Sequence, residues 1–281
     1  MGHEVVVGVA GTLSSEGALR WAAQAAAERS AELVLVHATG RPAPGMDVAW
    51  DGMLESEISA MLDREVDQVR AAHPTLKVRA EVDLDTPARC LVRRSATARL
   101  VVVGTWRTTA AERVFSGSLA YQVVAGAHCS VACVPPPSGP REPRVVVGAD
   151  GSAHGVAAVQ AGAEEADRHG SVLEVVHAWL EPVVVAPLTW DPPNLTDATR
   201  AAEELVLAEA VAGLGERYPD LVVERSLVHA QPASALLDAA ARAALVVVGS
   251  RGLHGVARVL LGSTSHAVVL HAPCPVLVVR G

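Results

Sequence analysis

The chain has 281 residues, half of them hydrophobic and only 3% aromatic, and it carries a formal net charge of −8 at pH 7. This length suffices for two domains with separate cores, and the hydrophobic content excludes a disordered chain. The lack of a basic run with interleaved aromatics argues against a nucleic-acid partner, and the lack of an apolar run near the ~18 residues that span a bilayer argues against a membrane protein.

Five strands are predicted in the first half of the chain, most of them rich in valine: Val5–Val9, Leu33–Ala38, Lys77–Val82, Leu100–Val103 and Val131–Val134. Helices are predicted between them, including an alanine-rich helix after the first strand and one that begins at Pro87, since proline is tolerated in a first helical turn. The block VVVG occurs four times in the chain. Such blocks are typical of parallel strands that are buried on both faces.

The second half repeats this order, so the chain is an internal duplication. The segment EVVVGVAGTLSSEGALRWA matches RVVVGADGSAHGVAAVQAG at an offset of 140 residues, and His37 aligns with His177. Later segments align at an offset of 145, which implies a five-residue insertion in the second copy. The predicted strands of this copy are Val145–Ala149, Leu173–Ala178, Val222–Val228, Leu245–Val248 and Val276–Val279.

The run PPPSGPREP, Pro135–Pro143, separates the two copies, and its prolines should prevent both a helix and a central strand. We therefore predict one domain over residues 1–136, a linker over 137–143 and a second domain over 144–281. Because strands alternate with helices, each domain is predicted to be an α/β fold with a doubly wound, five-stranded parallel sheet of the Rossmann-like type. Such sheets bind ligands outside the carboxyl ends of their strands, where the strand order reverses.

A glycine-rich loop, VVVGSRGLHGVARVLLGS at Val246–Ser263, has glycines separated by two and then by nine residues. The run GSTS that starts at Gly262 opens a predicted helix, where N–H groups, hydroxyls and the helix dipole form an anion site, with Arg251, His254 and Arg258 as further donors. The alternative is a plain strand-to-helix connection with small residues for packing, and the hydroxyl cluster favours the anion site. A P-loop is excluded because Lys77, the only lysine, lies far away on a predicted strand.

These glycines, the sequence Asp150-Gly151-Ser152 after the first strand of the second copy, and VVHA at its second strand resemble the ATP-binding type of universal stress protein. The duplication resembles the tandem-domain members of that family, which are common in actinobacteria. The resemblance implies an adenine nucleotide alpha hydrolase-like fold with ATP as the ligand. It also implies that Mg²⁺ is held mainly by the phosphates, and no protein side chain is predicted as a metal ligand.

The resemblance further implies roles for individual residues of the second copy. Asp150 would contact the ribose and adenine end, and the backbone around Ala178 would line the adenine. Gly249 and Gly252 would approach the ribose and the α-phosphate, while the run from Gly262 would bind the β- and γ-phosphates. The full set of predicted nucleotide-binding residues is Ala149, Asp150, Gly151, Ser152, Ala178, Val248, Gly249, Arg251, Gly252, His254, Gly262, Ser263, Thr264 and Ser265.

The first copy departs from this pattern, because Ala10 stands where the second copy has Asp150 and Arg107 stands where it has Gly252. Ala10 cannot accept a hydrogen bond from a ribose hydroxyl, and Arg107 has a side chain where the backbone should approach the ligand. Either the site has lost its ligand or the guanidinium still reaches an anion, and we expect weakened or absent nucleotide binding. The candidate residues of this weaker site are Ala10, Thr12, Ala38, Gly104, Arg107, Gly117, Ser118 and Leu119.

No Ser/His/Asp arrangement, metal-ligand cluster or positioned carboxylate near the loop suggests a dedicated catalytic base, and His177 is expected to be a hydrogen-bonded strand-end histidine. The resemblance implies ATP binding, at most slow hydrolysis, and a stress-responsive regulator, which is the function we expect. An adenylating or ATP-hydrolysing enzyme is the second hypothesis, although the turn GADGSAHG lacks the paired glycines of a pyrophosphate loop. A ligand-free interaction module is the third. Asp150 is compatible with any ribose, so AMP and cyclic nucleotides remain candidates.

The start of the chain, MGHEVVVGVAG, lacks the pattern of a signal peptide. The four cysteines, Cys90, Cys129, Cys133 and Cys274, show no Cys-x-x-Cys spacing and lie in apolar surroundings, so we expect buried thiols in a cytoplasmic protein. The two like domains are expected to pack as an internal pseudo-dimer through their last strands. The resemblance is also compatible with a homodimer of the whole chain.

Overall fold

The computed structural model describes residues 2–40, 52–105, 113–137, 139–181, 195–252 and 261–280. The chain divides into two compact units, Met1–Ser138 and Gly139–Gly281. Within the described residues, no helix is both long enough and apolar enough to cross a membrane.

In the first unit, five parallel strands have the order β3-β2-β1-β4-β5. The elements in chain order are β1 (Glu4–Gly8), α1 (Leu13–Glu28), β2 (Glu32–Ala38), α2 (Gly52–Ala72), β3 (Val78–Asp83), α3 (Pro87–Arg94), β4 (Leu100–Gly104), α4 (Arg113–Gly126) and β5 (Ser130–Val134).

The second unit repeats this arrangement, with five parallel strands in the order β10-β9-β6-β7-β8. Its elements are β6 (Glu142–Gly148), α5 (Ala153–Arg168), β7 (Val172–Trp179), α6 (Leu195–Val211), α7 (Leu214–Arg217), β8 (Val223–His229), α8 (Pro232–Ala240), β9 (Ala243–Gly249), α9 (Ser263–His271) and β10 (Val276–Val279). The doubly wound, five-stranded parallel sheet predicted for each half is confirmed.

The valine blocks form the centre of each sheet. Val5, Val6 and Val7 are all 0% exposed, although consecutive residues of a strand point to opposite faces. Both faces of β1 are therefore covered, as parallel sheets require. On α1, Ala18, Ala22 and Ala26 share one face at helical spacing and are likewise 0% exposed, so this small-residue face packs on the sheet.

The proline-rich run between the copies contains the start of a strand, contrary to the sequence prediction. β6 begins at Glu142 and includes Pro143, which lie in the predicted linker over 137–143. The register between β6 and β9 shifts between Glu142 and Val145, and proline is tolerated at such an irregularity because no ladder hydrogen bond from its nitrogen is needed there. β6 can therefore contain Pro143 near its start, although β6 lies between two other strands of its sheet.

Candidate functional site

A cavity of about 520 Å³ lies in the second unit at the carboxyl ends of β6, β7 and β9. Its volume is in the range of small-molecule sites. The strand order of this unit reverses between β6 and β9, which is where doubly wound sheets bind ligands. Eleven of the residues predicted from the sequence line it: Ala149, Asp150, Ala178, Val248, Gly249, Arg251, Gly252, Gly262, Ser263, Thr264 and Ser265.

Three predicted residues are not on the cavity wall that the structure describes. His254 lies outside the described residues, as does the further donor Arg258. Gly151 adopts a φ of +74°, which favours glycine, and makes the turn that leads from β6 into α5. Ser152 is the N-cap of α5, where its Oγ accepts a hydrogen bond from the Gly155 N–H at 3.0 Å. Gly151 and Ser152 therefore fix the turn between β6 and α5 next to the cavity without lining it.

The same turn fixes the carboxylate of Asp150. Oδ1 of Asp150 accepts hydrogen bonds from the Ser152 N–H at 3.0 Å and from Ser152 Oγ at 2.6 Å. The other carboxylate oxygen, Oδ2, lies within 3.0 Å of the place that a Cβ on residue 252 would occupy. Because residue 252 is glycine, its backbone and this carboxylate can meet on the cavity wall.

Gly249 serves a different purpose. A Cβ on this residue would lie 2.8 Å from the backbone oxygen of His154, so glycine lets the end of β9 pack directly on the first turn of α5. The aligned Gly104 of the first unit would place a Cβ 2.6 Å from the backbone oxygen of Ser14. Glycine at this position is therefore explained by packing in both units, and its presence in the first unit is no sign of a ligand.

The N-terminus of α9 opens toward the cavity without a side-chain cap. Its N-cap is Gly262, so the N–H groups of the first turn lack the hydroxyl partner that Ser152 gives to α5. Ser263 is exposed and Thr264 is half-buried on the cavity wall. Within the described residues these N–H groups have no side-chain cap, and together with the hydroxyls and the positive end of the helix dipole they are chemically suited to bind an anion.

Arg251 strengthens the anion site. It lines the cavity, and its buried Nε has no hydrogen-bond partner in the part of the chain that the structure describes. An unsatisfied buried donor is costly, and an anionic ligand would remove that cost. By contrast, the hydroxyl of Ser265 is already committed, since Oγ donates to the backbone oxygen of Gly249 at 2.6 Å.

His177 is hydrogen-bonded at the end of its strand, as predicted, and it also lines the cavity. Its Nδ1 lies 2.8 Å from the backbone oxygen of Ala149, and its Nε2 lies 2.5 Å from Oε2 of Glu203. Because a carbonyl oxygen can only accept, Nδ1 carries a proton. In the first unit His37 makes the same contact, with Nδ1 2.9 Å from the backbone oxygen of Val9.

The sequence patterns did not predict the side of the cavity that helices and the ends of β6 and β7 provide: Gly148, Gly155, Val176, Trp179, Leu180, Glu203, Pro232 and Leu236. Most of these residues are apolar, and Leu236 is only 4% exposed. One sequence signal was available for Glu203. The 145-residue offset aligns this charged residue with the apolar Ile58 of the first copy.

The first unit does not reproduce this arrangement in the parts that are described. Thr12 is the N-cap of α1 and forms a capping box with Ser15, while Ala10 is exposed and Ala38, Gly104 and Leu119 are half-buried. Gly117 and Ser118 lie inside α4, which begins at Arg113, whereas Gly262 is the N-cap of α9. Arg107 and the side chain of Ser118 lie outside the described residues.

Comparisons with known proteins agree with the duplicated fold. The model of the universal stress protein family matches residues 1–135 and 143–280. A universal stress protein of Mycobacterium tuberculosis is 37% identical over 291 residues, covering 99% of this chain and 97% of that protein. One of Mycolicibacterium smegmatis is 34% identical over 293 residues, with coverage of 99% and 97%.

Among solved structures, the crystal structure of a universal stress protein from Archaeoglobus fulgidus DSM 4304 has a TM-score of 0.70 to this chain at 19% identity. The match covers 99% of this chain and 96% of that one, so the likeness of fold extends over both units. With two matches of the family model and relatives of full length, the chain belongs to the universal stress protein family, as a member with two tandem domains.

Proposed function

We propose that the second unit binds an adenine nucleotide, with ATP as the expected ligand, and that the bound nucleotide sets the conformation or the partners of a stress-responsive regulator. The observation that carries this proposal is the distribution of donors and acceptors around one cavity. Donors come from β9 and α9, and carboxylates come from the ends of β6 and from α6. A nucleotide is complementary to this arrangement, because it has anionic phosphates at one end and the hydroxyl and amine donors of the nucleoside at the other.

The strand order gives these two groups a suitable separation. β6 lies between β7 and β9, and neighbouring strands are about 4.8 Å apart, so β7 and β9 are separated by roughly 10 Å. The uncapped start of α9 and the guanidinium of Arg251 would hold phosphates on the β9 side. On the β7 side, Trp179 and Leu236 offer apolar surface for a base, and the Asp150 carboxylate can accept from a ribose hydroxyl.

Magnesium fits this site as a companion of the phosphates. Among the described residues, no group of three or more His, Cys, Asp or Glu side chains is arranged to hold a metal ion. We propose that Mg²⁺ accompanies the bound phosphates, is coordinated mainly by their oxygens and neutralises part of their charge.

We propose binding with at most slow hydrolysis, because both carboxylates at the cavity are held in place by a neighbouring side chain, away from the α9 side where the phosphates would bind. Asp150 accepts from Ser152, and Glu203 lies against His177. A general base needs a carboxylate or imidazole nitrogen that can take a proton from an attacking water. The cysteines, which form no disulfide in the described part of the chain, fit the proposal that the protein acts in the reducing cytoplasm.

The test measures nucleotide stoichiometry. Purified protein is stripped of nucleotide and titrated with ATP and Mg²⁺ in a calorimeter, alongside Gly252→Arg, which copies the residue of the first unit. We expect one ATP per chain for the wild type and no measurable binding for the variant. Two equivalent sites per chain, or equal binding by both proteins, would contradict the assignment of the site to the second unit.

A further inference from the structure

Glu203 reaches from α6 to the end of β7, where it meets His177. Nδ1 of His177 is occupied by the backbone oxygen of Ala149, so Nε2 is the nitrogen that faces Oε2 of Glu203 at 2.5 Å. One proton lies between Nε2 and the carboxylate, whichever atom carries it, and the contact fixes the position of the carboxyl group. His177 is 5% exposed, so the imidazole side of this contact is buried.

The carboxyl group of Glu203 retains capacity to accept further hydrogen bonds. A carboxylate offers about four lone-pair sites on two oxygens, and only Oε2 is engaged by a described residue. Glu203 lines the cavity, and its side chain is 29% exposed. The next residue, Glu204, is 55% exposed, pairs with Arg200 and is not part of the cavity wall.

In the described part of the first unit, the position aligned with Glu203 carries no carboxylate. The aligned residue of the first unit is Ile58, which is 8% exposed, although His37 keeps the contact of its Nδ1 with Val9. The alignment of the two helices is supported by their contacts. Met61 of α2 lies beside Gly11, and Val206 of α6 lies beside the equivalent Gly151. The histidine contact therefore occurs in both units, whereas Glu203 belongs to the unit whose glycine loop is intact.

The chemistry of this carboxylate restricts what it can contact. It lies on the β7 side of the cavity, away from the α9 side where phosphates would be held, and a carboxylate beside a phosphate would be repelled. We propose that Glu203, positioned by His177, recognises a hydrogen-bond donor of the nucleoside, either the exocyclic amine of adenine or the 2′-hydroxyl of the ribose. This inference rests on the proposed function and adds a residue that selects the ligand.

Three nucleotides separate the two donors. ITP replaces the amine by a carbonyl oxygen, 2′-deoxy-ATP lacks one ribose hydroxyl, and ATP has both. Dissociation constants are measured by calorimetry for the wild type, Glu203→Gln and Glu203→Ile. We expect the wild type to bind one of the two analogues about 10- to 100-fold more weakly than ATP, which identifies the donor. For Glu203→Ile the dissociation constants of that analogue and of ATP should be nearly equal, and for Glu203→Gln their ratio should lie between that of Glu203→Ile and that of the wild type.

Two further variants separate recognition from folding. Glu204→Ile changes the neighbouring carboxylate on the same helix and should keep the wild-type ratio. His177→Phe removes the partner of Glu203 and should lower the ratio while the affinity for inorganic triphosphate stays unchanged, which a general loss of structure would not allow. If Glu203→Ile does not fold, the ratio measured for the isosteric Glu203→Gln decides.

The outcomes separate this inference from the proposed function. If the wild type binds ATP but treats the three nucleotides alike, or if both Glu203 variants keep the wild-type ratio, the role of Glu203 is overturned while nucleotide binding stands. If the wild type binds no nucleotide, the proposed function is contradicted and this inference falls with it.

Discussion

The carboxylate of Asp150 occupies the space that a side chain at Gly252 would need. A Cβ on residue 252 would come within 3.0 Å of Oδ2, a distance that real Cβ contacts essentially never show. The carboxylate cannot easily turn away, because Oδ1 is held by Ser152. In the first copy the aligned residues are Ala10 and Arg107, which lack the carboxylate and carry the Cβ. The two departures of the first copy are therefore physically linked.

Replacing Gly252 by alanine tests this link. We expect Gly252→Ala to destabilise the protein by about 1–3 kcal/mol, because the new Cβ displaces a carboxylate that is held by hydrogen bonds. In an Asp150→Ala background the same change should cost much less, because the obstacle is gone. Urea unfolding of the two single variants and the double variant gives the coupling free energy.

Gly215→Ala is the matched control, because a Cβ on Gly215 would meet nothing within 4 Å and its φ is not positive. This variant should leave both stability and ATP affinity nearly unchanged. If the double variant loses as much free energy of unfolding as the two single variants together, a side chain at residue 252 and Asp150 do not compete for space.

Two serines at the start of α9 should affect different properties when each is changed to alanine: Ser265 the stability of the protein, and Ser263 its affinity for ATP. Ser265→Ala removes the bond from Oγ to the backbone oxygen of Gly249, and this should cost about 1–3 kcal/mol of stability because the acceptor is buried. Ser263→Ala removes an exposed hydroxyl on the cavity wall, so it should leave stability unchanged and weaken ATP binding. Urea unfolding and calorimetric titration of both variants measure the contrast, and identical behaviour of the two would contradict it.

The sheet and the glycine loop could be predicted because their signals are local. Consecutive valines such as Val5, Val6 and Val7 indicate a strand buried on both faces, and the spacing of glycines marks the turn from β9 to α9. Pro143 in β6 was not predicted, because a single strand irregularity decides whether a proline can be accommodated.

The helix-borne side of the cavity could not be predicted in the same way. Leu236 and Glu203 come from helices whose rotation and height above the sheet depend on packing over the whole unit. The role of Ser265 could not be predicted either. The sequence shows a hydroxyl at the start of a helix, but not the buried carbonyl that accepts its hydrogen bond. The repeat did carry one unused signal for this side of the cavity, because Glu203 aligns with the apolar Ile58 of the first copy.

The cysteines should differ in reactivity. Burial raises the pKa of Cys90 to about 11, with the hydrogen bond that its thiol donates to Asp83 adding to the effect, and burial alone raises the pKa of Cys133 to about 12. Burial likewise raises the pKa of Cys274 to about 11, opposed by Arg141. Cys129 is only half-buried. Since the thiolate is the reactive form, a thiol reagent at pH 7.5 should modify about one cysteine per native chain quickly.

The Cys129→Ser variant provides the control for this measurement. It should show no fast reaction in the native state, whereas wild-type protein unfolded in urea should react at all four of its cysteines. Fast modification that persists in Cys129→Ser would mean that one of the buried thiols becomes accessible in the native protein.

Glu65 of α2 should make the stability of the protein depend on pH. Its side chain is buried, and Oε2 has no hydrogen-bond partner among the described residues. Loss of hydration raises the pKa of Glu65 above its ordinary value of 4.5, the negative charge of Glu16 adds to this, and Arg64 opposes it. The folded state therefore binds the proton of Glu65 more tightly than the unfolded state does.

The contribution of Glu65 to the free energy of unfolding is consequently complete below about pH 4.5 and is lost as the pH rises through the raised pKa of the folded state. Glu65→Gln cannot ionise, so it should be more stable than the wild type at pH 7, and the difference should shrink as the pH falls toward 4.5. Urea unfolding of both proteins between pH 4.5 and pH 8 measures this difference. Asp63→Asn, an exposed change on the same helix, should show no such dependence. A constant difference between Glu65→Gln and the wild type would mean that Glu65 ionises as readily in the folded chain as in the unfolded one.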